Sequence, residues 1–275
     1  MTIDLDTYCR RIGYDGERAP TLATLCALHE LHPRSIAFEN LDPLLGRPVR
    51  LDPASLHGKM LQGGRGGYCF EHNLLFGHVL RAMGFKVREL IGRPRWRMPD
   101  SVITPRIHML LLIDLEQTQY VADVGFGGNT LTGPLLLHSR EEQSTPHEPA
   151  RVVEAAGQWS IQVKIRGGWA TTYIFDLSEQ LLIDLETSNW WTSSNPDSPF
   201  VNELRLARTE VGGRYTLRNN ELARHRLNSE TERSMLRTVH ELRDALSNIF
   251  LLRLAEIGEL DKVLVRYTAG EARSA

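Results

Sequence analysis

After Gly84 the hydrophobic rhythm of this chain changes from a helical period to a period near two, and that switch limits what it can fold into. Before it, residues 21–31, 54–61 and 70–83 carry apolar side chains at helical spacing. The first run stops near His32-Pro33, the second follows Leu51-Asp52-Pro53, and Gly84 stands where a helix C-terminal glycine belongs. Beyond Gly84, strand-like runs cover 86–91, 107–115, 119–124, 151–154, 159–165 and 173–176, punctuated by Gly and Pro. Short strands at this density predict an antiparallel barrel or curled sheet. The Ser-, Asn- and Pro-rich stretch 192–199 reads as a boundary loop. Short strand-like pieces at 204–207 and 214–218 follow it, then a helix over 229–249 and a polar C-terminal tail.

Charge and cysteine usage exclude several classes of function. The net charge of −2, with arginines scattered and no basic stripe, gives no reason to expect nucleic acid. The acidic start Met1-Thr2-Ile3-Asp4-Leu5-Asp6 lacks the basic and apolar parts of a signal peptide. Apolar runs such as 109–113 are far too short to span a bilayer, so no membrane partner is expected. Cys9, Cys26 and Cys69 are widely spaced, with no Cys-x-x-Cys and no Cys/His ligand spacing. Neither a disulfide framework nor a metal site is indicated, and a cytoplasmic location fits. Oligomeric state is left open.

The chemistry concentrates in Gly63-Gly64-Arg65-Gly66-Gly67-Tyr68-Cys69-Phe70-Glu71-His72-Asn73, where a flexible, glycine-rich loop turns into the helix 70–83. Cys69 falls at or near the N-cap, beside unpaired N–H groups and the positive end of the helix dipole, which favours thiolate over thiol. A thiolate nucleophile needs a proton partner, and histidine is the usual one. Of ten histidines, most sit in polar or helical contexts that suit surface or satisfied-core roles. His72, three residues beyond Cys69, is within reach on the same helix. His108 opens the most apolar strand, where an imidazole must find a partner. Asp123 interrupts the end of the next strand, and the expected turn between Glu116 and Gln119 lies near the midpoint of the two. An antiparallel hairpin would bring imidazole and carboxylate together, within a register error of about one or two residues. On this geometry a Cys–His–Asp triad and three structural residues stand as equal alternatives.

Taken together, Arg65-Gly66-Gly67-Tyr68-Cys69-Phe70-Glu71-x-Asn73, Ala37-Phe38-Glu39-Asn40-Leu41, His108 in its apolar strand and Asp123-Val124-Gly125-Phe126-Gly127 resemble the arylamine N-acetyltransferases. The match in order and spacing runs from about residue 5 to residue 200. The resemblance implies an α+β chain: an N-terminal helical bundle (1–86) carrying the cysteine, a central antiparallel β-barrel (87–192) carrying His and Asp, and a C-terminal α/β lid (193–275). It implies a cysteine-protease-like core in which Cys69 accepts the acyl group, His108 is its proton partner and Asp123 orients the imidazole. His72 then occupies the variable position of the motif. Arg65 is implied to pair with Glu39 and brace the cysteine loop. Phe126 and Phe200 are implied as aromatic walls and Thr104 as a contact to coenzyme A, for which the Gly127-Gly128 backbone also offers N–H groups able to meet phosphate or carbonyl oxygens. The implied reaction is ping-pong transfer from acetyl-CoA to an arylamine or arylhydrazine through an acetyl-cysteine, with no metal. Two rivals share Cys69: a cysteine hydrolase (amidase or peptidase), and a redox-sensing thiol protein without catalysis.

Overall fold

The computed structural model describes residues 3–99, 101–255 and 257–268; the outer ends of the acidic start and of the polar tail lie outside these. The N-terminal part comprises α1 (Leu5–Ile12), α2 (Leu22–Ser35), the short strand β1 (Phe38–Glu39), α3 (Leu41–Leu44), α4 (Pro53–Leu56) and α5 (Cys69–Ala82). Helix α4 runs on into a π-helical turn, His57–Gln62. Side-chain caps start α2 and α4: Thr21 accepts from the Thr24 N–H at 3.2 Å and Asp52 from the Ser55 N–H at 3.0 Å. Helix α2 does not stop before Pro33 but continues to Ser35. In the last turn a proline forfeits only its own bond, and the Ile36 N–H still closes onto the His32 carbonyl at 2.9 Å.

The period-two region forms β2 (Lys86–Pro94), β3 (His108–Leu115), β4 (Thr118–Ala122), β5 (Leu135–Leu136), β6 (Ala150–Ala155), β7 (Gln158–Ile165) and β8 (Gly168–Phe175). They make one seven-stranded antiparallel sheet in the order β5-β4-β3-β2-β8-β7-β6, curled into a nearly closed barrel. Strand β3 is apolar from Met109 to Ile113 because both its faces are covered there. Met109, Leu111 and Ile113 pack with Leu74, Phe76 and Val79 of α5, while Leu110 and Leu112 join Leu90, Val121, Ile161 and Tyr173 inside the barrel. Gln143 bridges the two edge strands. Its backbone pairs with Ala150 of β6, and its side-chain amide stands in for a peptide against Leu136 of β5, accepting from the N–H at 2.8 Å and donating to the carbonyl at 3.0 Å.

The C-terminal part holds α6 (Leu182–Ser194), α7 (Pro199–Asn202), β9 (Arg205–Glu210), β10 (Gly213–Arg218), β11 (Glu221–Arg226), β12 (Glu232–Met235), α8 (Val239–Asp244) and α9 (Leu260–Thr268). Its sheet runs β1-β9-β10-β11-β12, so a strand from the N-terminal part pairs into it, Phe38 opposite Ala207. Three expectations need correction. The boundary loop 192–199 is largely structured: α6 extends to Ser194, and the buried Ser198 hydroxyl donates to the Thr192 carbonyl at 2.5 Å. The first part of the helix expected over 229–249 is an edge strand, because Glu232–Met235 pairs with β11; the helix starts at α8, where Thr238 caps it by accepting from Glu241 N–H at 3.1 Å, and runs on through a π-helical turn, Ala245–Ile249. The C-terminal tail is not all polar coil, since Leu260, Val263 and Leu264 share one face of α9 and bury it with Leu242, Leu246 and Phe250. Among the described residues no helix is long and apolar enough to cross a membrane.

Barrel closure through one side chain gives a direct test. Gln143→Ala removes both bonds to Leu136 and should cost about 1–2 kcal/mol, read as a lower thermal unfolding midpoint.

Candidate active site

Tyr68 is the N-cap of α5, so Cys69 is its first helical residue, one place further in than the cap itself. The Glu71 carboxylate reaches back to accept the Tyr68 N–H at 3.1 Å. The glycine-rich loop before it is not a flexible surface loop: Gly64 to Tyr68, Arg65 included, are buried. Its glycines serve close approach. A Cβ at Gly66 would lie 1.8 Å from the Ala37 carbonyl oxygen, and one at Gly67 would lie 2.6 Å from a Glu71 carboxylate oxygen. Arg65 Nη2 sits 2.7 Å from Glu39 Oε1 and 3.3 Å from Asp42 Oδ1. Lys59 Nζ lies 2.5 Å from Asp42 Oδ2 and 2.7 Å from Glu71 Oε1. Burial opposes charge on Lys59 and Arg65, but the surrounding carboxylates outweigh it and raise both above their ordinary values. Burial pushes the Glu71 carboxyl up to about 7 against the pull of Lys59.

The β3–β4 hairpin turns on Glu116 and Gln117, both at positive φ (48° and 65°), with Leu115 opposite Thr118. The ladder ends with Leu111 opposite Ala122, so Asp123 follows directly beyond it. There Asp123 Oδ2 lies 2.8 Å from His108 Nε2, with both side chains buried. Its Oδ1 accepts from Asn73 Nδ2 at 3.0 Å and from the Gly125 N–H at 2.9 Å. Burial raises the Asp123 carboxyl, but His108 and these donors outweigh it, and the group stays below the ordinary carboxylate value. For His108 burial works against the charged form; Asp123 and Cys69 outweigh it and raise the imidazolium to about 9. With Nε2 committed to Asp123, Nδ1 is the ring nitrogen left for proton exchange with the thiol. Cys69 Sγ lies 3.5 Å from the Ile107 carbonyl oxygen, at the residue before His108. Gly125 makes the meeting possible: a Cβ there would lie 2.9 Å from Cys69 Cα.

Two aromatic groups flank this centre. Phe126 and Tyr173 pack on His108 with ring centroids at 4.9 and 4.5 Å. Phe200 lies 5.6 Å from Tyr68 and 6.1 Å from Phe38. Gly127 adopts φ 81°, and the Gly128 carbonyl accepts from Arg214 Nη1 at 2.9 Å. Thr104 is placed apart. Its hydroxyl donates to the Pro94 carbonyl at 2.7 Å, and it lines a separate cavity of about 660 Å³ with Arg93, Arg97, Ser160 and Ile174. His72 turns away from the thiol, bonding His32 at 2.9 Å and the Ala37 carbonyl at 3.1 Å. Sequence reasoning assigned no role to Asn73, Gly125, Tyr173 or the Lys59–Glu71 pair. Asn73 and Gly125 lay inside the quoted motifs, and Glu71 sits at the capping-box position; Tyr173 gave no signal beyond a place in a strand. Among the described residues no cluster of three or more His, Cys, Asp or Glu could hold a metal ion.

Comparison with known proteins gives one answer. A family model described as N-acetyltransferase matches residues 21–258. An arylamine N-acetyltransferase of Mycobacterium tuberculosis is 39% identical over 99% of this chain and 100% of its own. The solved structure of arylamine N-acetyltransferase from M. tuberculosis superposes with a TM-score of 0.92 at 40% identity, covering 95% of this chain and 99% of the other. That of the Mycobacterium marinum arylamine N-acetyltransferase in complex with CoA gives 0.92 at 37% identity, covering 96% and 98%.

The electrostatics fix a pH dependence. His108 is raised from 6.5 to about 9, so the stability it contributes is complete below pH 6.5 and is lost as pH rises through about 9. The thermal midpoint should fall across that window, and Asp123→Asn should flatten the fall. Gly125→Ala should cost about 1–3 kcal/mol through overpacking and slow alkylation of Cys69, measured with iodoacetamide.

Proposed function

The chain belongs to the arylamine N-acetyltransferase family, and from that premise we propose that it moves an acetyl group from acetyl-CoA to the nitrogen of an arylamine or arylhydrazine by a ping-pong route through acetyl-Cys69. The observation that carries this reading is the buried Cys69–His108–Asp123 arrangement, with the thiol on a helix N-terminus and the imidazolium raised to about 9. An imidazolium that Asp123 holds charged beside a thiol suits attack on a thioester. The CoA complex of the M. marinum relative supports acetyl-CoA as donor.

In the first half-reaction the Cys69 thiolate adds to the thioester carbonyl. The first N–H groups of α5, Cys69's own among them, have no intrahelical acceptor, and in this reading they receive the oxyanion. Collapse breaks the bond to the CoA sulfur, which leaves with the proton from His108. In the second half-reaction the amine nitrogen adds to acetyl-Cys69, His108 takes the amine proton, and Cys69 departs as thiolate. The thiolate–imidazolium pair is thereby restored. Asp123 holds the imidazole and stabilises its charged form without itself taking a proton.

We assign Phe126 and Phe200 to the walls of the acceptor pocket, and the Gly127-Gly128 backbone and Thr104 to coenzyme A. The cavity that Thr104 shares with Arg93 and Arg97 is cationic, which suits phosphate. Arg65 and Glu39 brace the cysteine loop from behind. In this reading residues 1–86 supply the nucleophile, 87–192 its base and orienting carboxylate, and 193–275 the lid. The three free cysteines fit a reducing cytoplasm.

Stoichiometric acetyl-CoA without acceptor should add one acetyl mass to Cys69 with prompt release of CoA, and an arylamine should discharge it. Cys69→Ser should abolish both steps. An adduct that water clears as fast without an amine as with one would mean a hydrolase. Catalysis surviving in Cys69→Ser would leave Cys69 as a reactive thiol only.

A further inference from the structure

The ladder between β3 and β4 stops at Ala122, so the N–H of Asp123 leaves the strand without a partner in the sheet. It donates instead to Nε2 of His29, across from α2, at 3.0 Å. Both residues are fully buried. An imidazole nitrogen that accepts must be bare, so His29 carries its proton on Nδ1. That Nδ1 has no hydrogen-bond partner although it is buried.

The other buried imidazoles nearby differ in this respect. His72 Nε2 bonds the Ala37 carbonyl, its Nδ1 faces His32 Nε2, and His32 Nδ1 faces the Tyr8 hydroxyl. Read from the carbonyl end, which can only accept, every donor in that row meets an acceptor. His32 and His72 are therefore satisfied core residues. His29 has one committed nitrogen and one orphan, an arrangement that an aliphatic side chain would avoid if packing were the sole requirement.

We infer that His29 is a positioning residue for the triad, whose neutral Nε2 fixes the Asp123 main chain and so aims the carboxylate at His108. Asp123 is then held at its N–H by His29 and at Oδ1 by Asn73 and the Gly125 N–H, which leaves Oδ2 for His108. The titratable groups facing His29 are Asp123 beyond β4 and His32 on α2 itself, which in turn faces His72 on α5 and Arg11 on α1, with the Phe76 ring edge-on to His29 at 5.9 Å. Burial lowers His29 to about 4 despite Asp123, so the acceptor persists through neutral pH. Protonation would turn Nε2 into a donor facing a donor and release Asp123.

The inference rests on the triad reading above, and two measurements on the full chain separate their failures. In wild-type protein with ¹⁵N-labelled histidine, ring-nitrogen shifts at pH 7 should show His29 with a proton on Nδ1 and none on Nε2; the opposite tautomer overturns the inference. Iodoacetamide alkylation of Cys69 is then followed against pH in wild type, His29→Val and His29→Gln. His29→Val should slow the reaction by up to about a hundredfold at pH 7, the order expected from a displaced catalytic group, and move its acid limb upward. His29→Gln, whose amide oxygen can accept the same N–H, should restore most of the rate. A wild-type rate and profile in His29→Val, or equal slowing in both variants, overturns the inference. Should His29→Val not fold, the tautomer and the His29→Gln profile decide: a profile unlike wild type counts against it. A wild-type Cys69 no more reactive than free cysteine would sink the triad reading and leave the His29–Asp123 contact standing on its tautomer.

Discussion

One side chain joins the two layers that the chemistry needs. Asn73 lies one helical turn after Cys69 on α5. Its amide nitrogen donates to the Met109 carbonyl of β3 at 2.7 Å and to Asp123 Oδ1 at 3.0 Å, and its amide oxygen accepts the Val124 N–H at 3.1 Å. The helix that presents the thiol is thereby fixed to both strands of the hairpin that presents imidazole and carboxylate. All of these groups are buried, so each would carry a desolvation cost if the contact were lost. Gly125 completes the seam by letting the backbone after Asp123 pass against Cys69 itself.

Behind the thiol, the loop 63–68 is held by charge rather than by regular structure. Glu39, Asp42 and Glu71 face Lys59 and Arg65, and the ladder is extended by the Glu39 N–H donating to the Gly67 carbonyl at 2.7 Å. Three carboxylates against two cations leave one negative charge in excess. Its cost shows at Glu71, which also caps Tyr68: burial, with Glu39 and Asp42 beside it, disfavours the charged form and raises this carboxyl to about 7. A buried network of this kind adds little net stability over apolar packing, but losing one member strands the rest. Its yield is position: the start of α5, and with it Cys69, has one place to be.

Legibility in the sequence followed the strength of the local signal. The barrel strands were readable because alternation and dense turn residues agree, and β3 because it is buried on both faces. The meeting of His108 and Asp123 was readable because a hairpin constrains where two odd polar residues can meet; the two-residue turn put Asp123 within the allowed register error. Helix α6 was missed, with Ser and Asn near its end masking a span whose buried positions are Leu185, Asn189, Thr192 and Ser193. The span 229–249 misled in the opposite direction. Glu232–Met235 has every side chain exposed, so no apolar period could mark it as an edge strand, and only its pairing with β11 makes it one. His29 gave no signal, because its contact is with a main-chain group 94 residues away.

The tripeptide Phe38-Glu39-Asn40 explains how so weakly marked a C-terminal part still closes correctly on the site. Glu39 holds Arg65 behind the cysteine loop, while the Phe38 ring stacks beside His72 and meets Phe200. Asn40 then fixes the main chain that carries Phe200: its amide donates to the Phe200 and Glu203 carbonyls, both at 2.7 Å, and accepts the Arg205 N–H at 2.8 Å. Arg214 reaches the other way, from β10 to the Gly128 carbonyl, and ties the C-terminal sheet to the loop that carries Phe126. Phe200 is therefore positioned by polar side chains reaching across the fold, not by its own local sequence. Substitutions in the exposed parts of β11 and β12 can vary without moving Phe200, whereas Asn40 cannot change without moving it.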